Sequence, residues 1–247
     1  MSDQKKGSGK KPAASKAKRQ EDRTILINFV LDKSGSMEVI RSATISGFNE
    51  FLGDQQREGG EARMTLTLFD TAFHMVAEAV PVREIAPLDL DTYAPDGCTA
   101  LYDAIGHTMR VTDDYVKVQK PDQVLFVIMT DGEENSSREF DRNAIFTLIK
   151  ERQANAGYEF IYLGANQDAY AAADSIGVGA GKALSWEASP AAAAATMQRV
   201  SHNVRAHRRT GAAQMADGTF FSAEFETLGA VDYEEHKKRT QEGGEAR

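Results

Sequence analysis

Ile25-Leu-Ile-Asn-Phe-Val-Leu-Asp-Lys-Ser-Gly-Ser-Met37 begins as an apolar run and ends in a tight, oxygen-rich turn. A short apolar run of this kind suits a strand buried on both faces of a parallel sheet. It closes on Asp32, and Ser34 and Ser36 follow at alternate positions, with Gly35 free to bend the backbone between them. Asp-x-Ser-x-Ser sets three hard oxygen donors on one turn. In open α/β sheets, ligands bind in the crevice outside the carboxyl ends of the strands. The turn therefore reads as part of a divalent-cation site whose other ligands lie elsewhere in the chain.

The segments on either side supply the rest of the sheet. The first strand covers Thr24 to Leu31. Ile40, Ala43, Ile45, Phe48, Phe51 and Leu52 recur at spacings of three and four, which predicts a helix from about Glu38 to Gln56, ended by Gly59-Gly60. Alternation from Met64 to Phe69, the short Asp70-Thr71 turn and the mixed run Phe73 to Val80 predict a hairpin, and so one antiparallel strand at the sheet edge. Residues 81–98 are loop. Thr99 opens a helix with the stripe Leu101, Ala104, Ile105, Met109 and Val116. The fully apolar run Val124 to Met129 is a second buried strand, and it too runs into an acid, Asp131.

Ser136 and Glu139 have capping-box spacing for a helix to about Ala156, with a core face of Phe140, Ala144, Leu148 and Ile149. Tyr158 to Leu163 is a third strand, Asp168 to about Ser175 a short helix, and Lys182 to Trp186 a last short strand. Ser189 and Pro190 start a long alanine-rich helix that closes near Gly211. Strands alternating with helices over 23–210 predict an α/β, Rossmann-like doubly wound domain. Its central sheet is mostly parallel with one antiparallel edge strand, and helices cover both faces. Residues 1–22 lack any large apolar side chain after Met1 and read as a disordered basic tail. Residues 211–247 form a C-terminal extension.

Charge and cysteine content narrow the function classes. The 247 residues carry a net charge of −8. Residues 1–20 hold seven Lys/Arg and one Asp, leaving 22 basic and 36 acidic residues, or −14, on the remainder. An acidic body argues against a nucleic-acid-binding core, apart from weak contacts through the basic tail. Cys98 is the one cysteine, which rules out an intramolecular disulfide and a thiolate metal cage. No apolar run is long enough to span a membrane, and no signal-peptide segment opens the chain, so the expected location is the cytoplasm.

Asp32, Ser34, Ser36, Thr99 and Asp131 all fall at the carboxyl ends of strands or at the helix start that follows them. Two carboxylates and three hydroxyls, with no His or Cys, make an all-oxygen set suited to Mg²⁺ or Mn²⁺ rather than Zn²⁺. Asp32-Lys-Ser-Gly-Ser36, Gly97-Cys-Thr-Ala-Leu101 and Thr130-Asp-Gly132 resemble, in order and spacing, the metal-ion-dependent adhesion site of von Willebrand factor type A domains. Cys98 stands where many members carry a second Gly. Phe160-Ile-Tyr-Leu-Gly-Ala-Asn-Gln-Asp168 also resembles bacterial and phage members. The resemblance implies that Ser34, Ser36 and Thr99 bind the ion through hydroxyls, and that Asp32 and Asp131 bind directly or through water. It implies a non-catalytic module that takes an Asp or Glu from a protein partner. The alternative is a Mg²⁺-dependent hydrolase or phosphotransferase using Asp32 or Asp131, which lacks an evident nucleophile–base pair.

Other motifs carry less. Gly177-Val-Gly-Ala-Gly-Lys182 is no phosphate loop, since Ile176 replaces the first Gly and Ala183 the Ser/Thr. Histidines 74, 107, 202, 207 and 236 show no metal-ligand spacing. Glu133-Glu134-Asn135 is either a solvated loop or a rim that tunes approach to the site. Arg199, Arg205, Arg208 and Arg209 on the last helix read as a solvated face compensating the helix dipole.

Overall fold

The apolar runs that stand out in the sequence become the middle of one sheet. A computed structural model describes residues 23–166, 168–210, 220, 221, 230 and 231. In chain order its elements are β1 (Thr24–Asp32), α1 (Arg41–Arg57), β2 (Glu61–Phe69), β3 (Phe73–Pro81), α2 (Leu101–Gln119), β4 (Gln123–Thr130), α3 (Arg142–Ala156), β5 (Glu159–Ala165), α4 (Ala169–Ser175), β6 (Ala183–Trp186), α5 (Pro190–Thr210) and β7 (Ala230–Val231). The strand order is β3-β2-β1-β4-β5-β6-β7. The pairs from β2 through β6 are parallel, and β3 is antiparallel to β2 at one edge. The two-residue β7 is antiparallel to β6 at the other edge, an addition to the single antiparallel strand predicted. The expected disordered tail, 1–22, and most of the C-terminal extension lie outside the described residues.

Alternate side chains of each central strand go to opposite layers, as pleating requires. Ile25, Ile27, Phe29 and Leu31 of β1 join Leu125, Val127 and Met129 of β4 against Phe48, Phe51 and Leu52 of α1 and Met197, Val200 and Val204 of α5. Phe29 meets Phe48 and Phe51 edge-on, with ring centroids 5.3 and 5.2 Å apart. On the other face Val30, Phe126, Ile128 and Phe160 pack against Leu101, Ala104, Ile105 and Met109 of α2, with α3 and α4 alongside. Two buried polar pairs register α2 on this face: Thr67 with Thr108 at 2.8 Å, and Thr112 donating to Asn28 Oδ1 at 2.8 Å.

The chain runs from β1 outward to β2 and β3, then crosses by α2 to β4 on the other side of β1. Strand order therefore reverses between β1 and β4. That reversal opens the crevice in which α/β sheets hold ligands, and Asp32 and Asp131 stand on either side of it.

Three local readings are corrected. The segment after Asp32 is first a 3-10 turn, Gly35–Ile40, and α1 begins only at Arg41. Ser136 and Glu139 form no capping box. α3 starts at Arg142, with Asp141 as N-cap accepting from the Ala144 amide. The amides of Ser136 and Ser137 are taken by Glu134, and those of Arg138, Glu139 and Phe140 by Asp103, so this stretch is held as loop. The arginines late in α5 are not simply a solvated face, although Arg209 is exposed. Arg208 is buried and donates to the carbonyls of Gln55, Glu58 and Gly59, satisfying the last turn of α1. Arg205 and Arg209 close on the buried Glu58 carboxylate. From the extension, Phe220 is buried against the α1/α5 layer, its amide donating to the Gly181 carbonyl and its carbonyl accepting from Asn203.

Candidate metal centre

All five oxygen-bearing residues singled out in the sequence come to the crevice between β1 and β4. Asp32 is fully buried at the end of β1. Its Oδ1 accepts from the Ser34 amide at 2.6 Å, and its Oδ2 accepts from Thr130 Oγ1, also at 2.6 Å. Ser34 Oγ lies 3.2 Å from Ser36 Oγ, and Ser36 Oγ donates to Asp131 Oδ1 at 2.6 Å. The hydroxyl of Thr99 reaches the same place: a Cβ built on Gly132 would lie 3.3 Å from Thr99 Oγ1 and 3.9 Å from Ser36 Oγ. Ser34 and Thr99 are nearly as buried as Asp32, while Ser36 is exposed and marks the open side.

The turn is held from several directions. Tyr93, fully buried, donates its hydroxyl to the Asp32 carbonyl at 2.6 Å. The Gly35 amide donates to the Gly97 carbonyl at 3.2 Å and the Asp96 amide to the Lys33 carbonyl at 2.9 Å, stitching the 93–97 loop to the Ser34–Ser36 turn. Gly97 has φ +70°, and an added Cβ would meet Thr71 Oγ1 at 2.5 Å, so a side chain there is excluded on both counts. The Lys33 ammonium pairs with the Asp70 carboxylate, and the Asp70 carbonyl accepts from the Ala100 amide. Thr99 itself is clamped reciprocally by Asn135: its amide donates to Asn135 Oδ1 at 2.8 Å and its carbonyl accepts the Asn135 amide at 3.0 Å.

Electrostatics fit a cation. Burial pushes the Asp32 carboxyl from 3.8 up to about 6, against the opposing pull of hydrogen bonds from Thr130 and Ser34. Asp131 is also raised, again by burial, with the Ser36 hydroxyl opposing. Two carboxylates held above their ordinary range, with no ammonium or guanidinium on them among the described residues, are short of positive charge. A hard divalent ion among these oxygens would relieve both. Among the described residues no group of three or more His, Cys, Asp and Glu side chains assembles as a metal cage, so the donor set is mostly hydroxyl. Tyr93 is passed over by sequence reasoning, and Thr130 and Asn135, named there only within a motif and a candidate rim, have roles it does not give. Thr130 has a signal as the last residue of an apolar run beside Asp131, and Asn135 as part of the rim candidate Glu133-Glu134-Asn135. Tyr93 and Asn135 act through contacts 61 and 36 residues distant.

The fold is that of von Willebrand factor type A domains, and solved structures with it are this chain's neighbours. It is similar to the pilus adhesin SpaC of Lactobacillus rhamnosus GG in its open conformation, with a TM-score of 0.58 and 15% identity over 76% of this chain and 31% of that one. The vWF domain of the type V pili tip protein Mfa5 of Porphyromonas gingivalis aligns with a TM-score of 0.54 and 12% identity, over 77% of this chain and 98% of that domain. Proximal thread matrix protein 1 from the mussel byssus, solved with a zinc-occupied MIDAS motif, aligns with a TM-score of 0.52 and 14% identity over 72% of this chain and 47% of that one. The chain thus spans about half the length of the byssus protein. No protein-family model and no curated protein sequence matches it.

Proposed function

We propose that residues 23–210 form a non-catalytic, metal-dependent protein-interaction module whose site is Asp32, Ser34, Ser36, Thr99 and Asp131. The observation that carries the reading is the convergence of three hydroxyls on two carboxylates that burial holds above their ordinary range, at the point where strand order reverses. A Mg²⁺-type ion, or Mn²⁺, held there would supply an electrophilic position for an Asp or Glu of a partner protein. The chain's own part is to keep that position open. Ser34, Ser36 and Thr99 are neutral donors, and Asp131 is turned toward the Ser36 hydroxyl. Ser36 is the exposed member, so a partner approaches over the Gly35–Ile40 turn. The adhesion-type neighbours support an interaction role.

The non-catalytic reading rests on the same geometry. Among the described residues no imidazole stands beside the three hydroxyls, Lys33 is engaged with Asp70, and the one carboxylate that a hydroxyl meets, Asp131 on Ser36, is itself a proposed ligand of the ion. The proposal places the module in the cytoplasm, where the exposed Cys98 thiol would stay reduced. No described helix is long and apolar enough to cross a membrane. The test is protein capture from the native host's lysate by the full chain in Mg²⁺ and in EDTA. The expected result is a partner lost with EDTA and with Asp32→Ala. Capture indifferent to both would overturn the reading.

A further inference from the structure

A cavity of about 300 Å³ lies at the end of the sheet opposite the proposed metal centre. The end of α1 brings Gln55 and Glu58 to it, the start of β2 Glu61 and Ala62, the turn after β3 Val82 and Arg83, and the last turn of α5 Arg208. β2 runs from Glu61 in the cavity wall to Phe69, the register partner of Asp32. At about 3.3 Å per residue, that strand puts about 26 Å between the cavity and the metal centre.

The charges of the lining are unevenly compensated. Both of its acids are held by arginines from outside it. Glu58 accepts from Arg209 and Arg205, which keep its carboxyl down at about 2 against its burial. Glu61, which is exposed, lies 3.6 Å from Arg63. Neither arginine of the lining pairs with a carboxylate among the described residues. Arg208 is buried and donates to neutral oxygens, the carbonyls of Gln55, Glu58 and Gly59 and the side-chain oxygen of Gln55. Arg83 is exposed. Burial lowers the Arg208 guanidinium from 12.5 to about 10; the Glu58 charge opposes this, and Arg83 and Arg205 push it further down. The two guanidiniums of the lining therefore repel each other. A second observation points to a ligand. Gln55 is 1% exposed, and with its oxygen turned to Arg208 its Nε2 is left buried in the cavity wall without an acceptor. Native proteins rarely leave such a group unmatched.

What the lining lacks is an acceptor that carries negative charge. A carboxylate matches the planar fork of a guanidinium. Glu58 and Glu61 stand in the same lining and repel a dianion such as phosphate more than a single charge. Ala62 and Val82 are buried and offer an apolar wall to a short stem. The volume sits at the lower end of the range of about 300–1,000 Å³ typical of small-molecule pockets. We propose that this cavity binds a small aliphatic monocarboxylate, its carboxylate held by Arg83 and the Gln55 amide beside the Arg208 charge, its stem against Ala62 and Val82. The site shares no residue with the metal centre and does not depend on the interaction-module reading.

The test is an amide-shift titration of the full ¹⁵N-labelled chain by NMR in EDTA, with sodium butyrate as probe. Butyramide is the neutral control, inorganic phosphate the more highly charged one, and sodium chloride keeps the ionic strength constant. The expected result is saturable shifts at Ala62, Val82, Arg83 and the Gln55 side-chain amide with butyrate alone. Affinity should fall at least fivefold in Arg83→Gln, which changes an exposed residue. It should fall as far in Gln55→Glu, which keeps the oxygen that Arg208 uses, loses no hydrogen bond and puts a charge that repels the probe into the wall. Should Gln55→Glu not fold, Arg83→Gln alone decides. Absent shifts, equal shifts with butyramide or phosphate, or affinity unchanged in a folded variant overturn the proposal.

Discussion

Replacing Asp32 by Asn tests whether the site is organised around a charge that the chain alone holds at a cost. Without metal, burial lifts the Asp32 carboxyl from 3.8 to about 6. An acid with a folded-state pKa above its unfolded value adds stability that is fully present below the unfolded pKa and is lost as pH rises through the folded one. At about 1.4 kcal/mol per pH unit between those values, ionised Asp32 costs the metal-free fold about 3 kcal/mol at neutral pH. Asp32→Asn removes that charge at nearly constant shape. It also strands one donor, because the Ser34 amide and Thr130 hydroxyl each use a different carboxylate oxygen and an amide has only one oxygen to offer. The stranded donor costs about 1–3 kcal/mol but does so at every pH. Urea unfolding of both proteins in EDTA, from about pH 4 to about pH 7, should therefore show the stability difference moving by about 2 kcal/mol in favour of the variant as pH rises, whatever its starting offset. A difference that stays flat across that range refutes the reasoning.

Other perturbations address the supports of the site and the fold. Arg209, with Arg205, holds the Glu58 carboxyl down at about 2. A depressed acid gives stability present above its ordinary pKa of 4.5 and lost as pH falls toward 2. Glu58→Gln should thus cost about 2–3 kcal/mol at neutral pH and flatten the acid side of the urea-midpoint profile. Asn135→Ala removes the side-chain end of the clamp on Thr99, the Oδ1 acceptor of its amide, and should weaken Mn²⁺ affinity about tenfold in a calorimetric titration, with circular dichroism unchanged. Gly106→Ala would place a Cβ 2.5 Å from the Phe140 ring across the α2 surface, and should lower stability by about 1–3 kcal/mol in thermal unfolding.

The element order, the buried strands and the antiparallel edge are legible in the sequence because hydrophobic periodicity is local. β1, β4 and β5 differ from their expected limits by only one or two residues at either end. The capping box at Ser136 failed for a reason that is not local. Glu134 and Asp103, the latter on α2, compete for the same amides, and a capping rule applied within one segment takes no account of a carboxylate from a different helix. The α5 arginines misled in the same way, since their partner Glu58 lies about 150 residues earlier. At the site, five residues could be named from motif order alone. The buried Tyr93 hydroxyl and the Asn135 clamp belong to loops without periodicity, and became visible only when the sheet brought those loops together.

The most direct test of the central claim is calorimetric titration of Mg²⁺ and Mn²⁺ into the full chain and into its Thr99→Ala and Asp131→Ala variants. Saturable binding of one ion per chain, lost or severely weakened in both variants, is the predicted result. No binding in the wild-type chain, or equal binding in all three proteins, would contradict it.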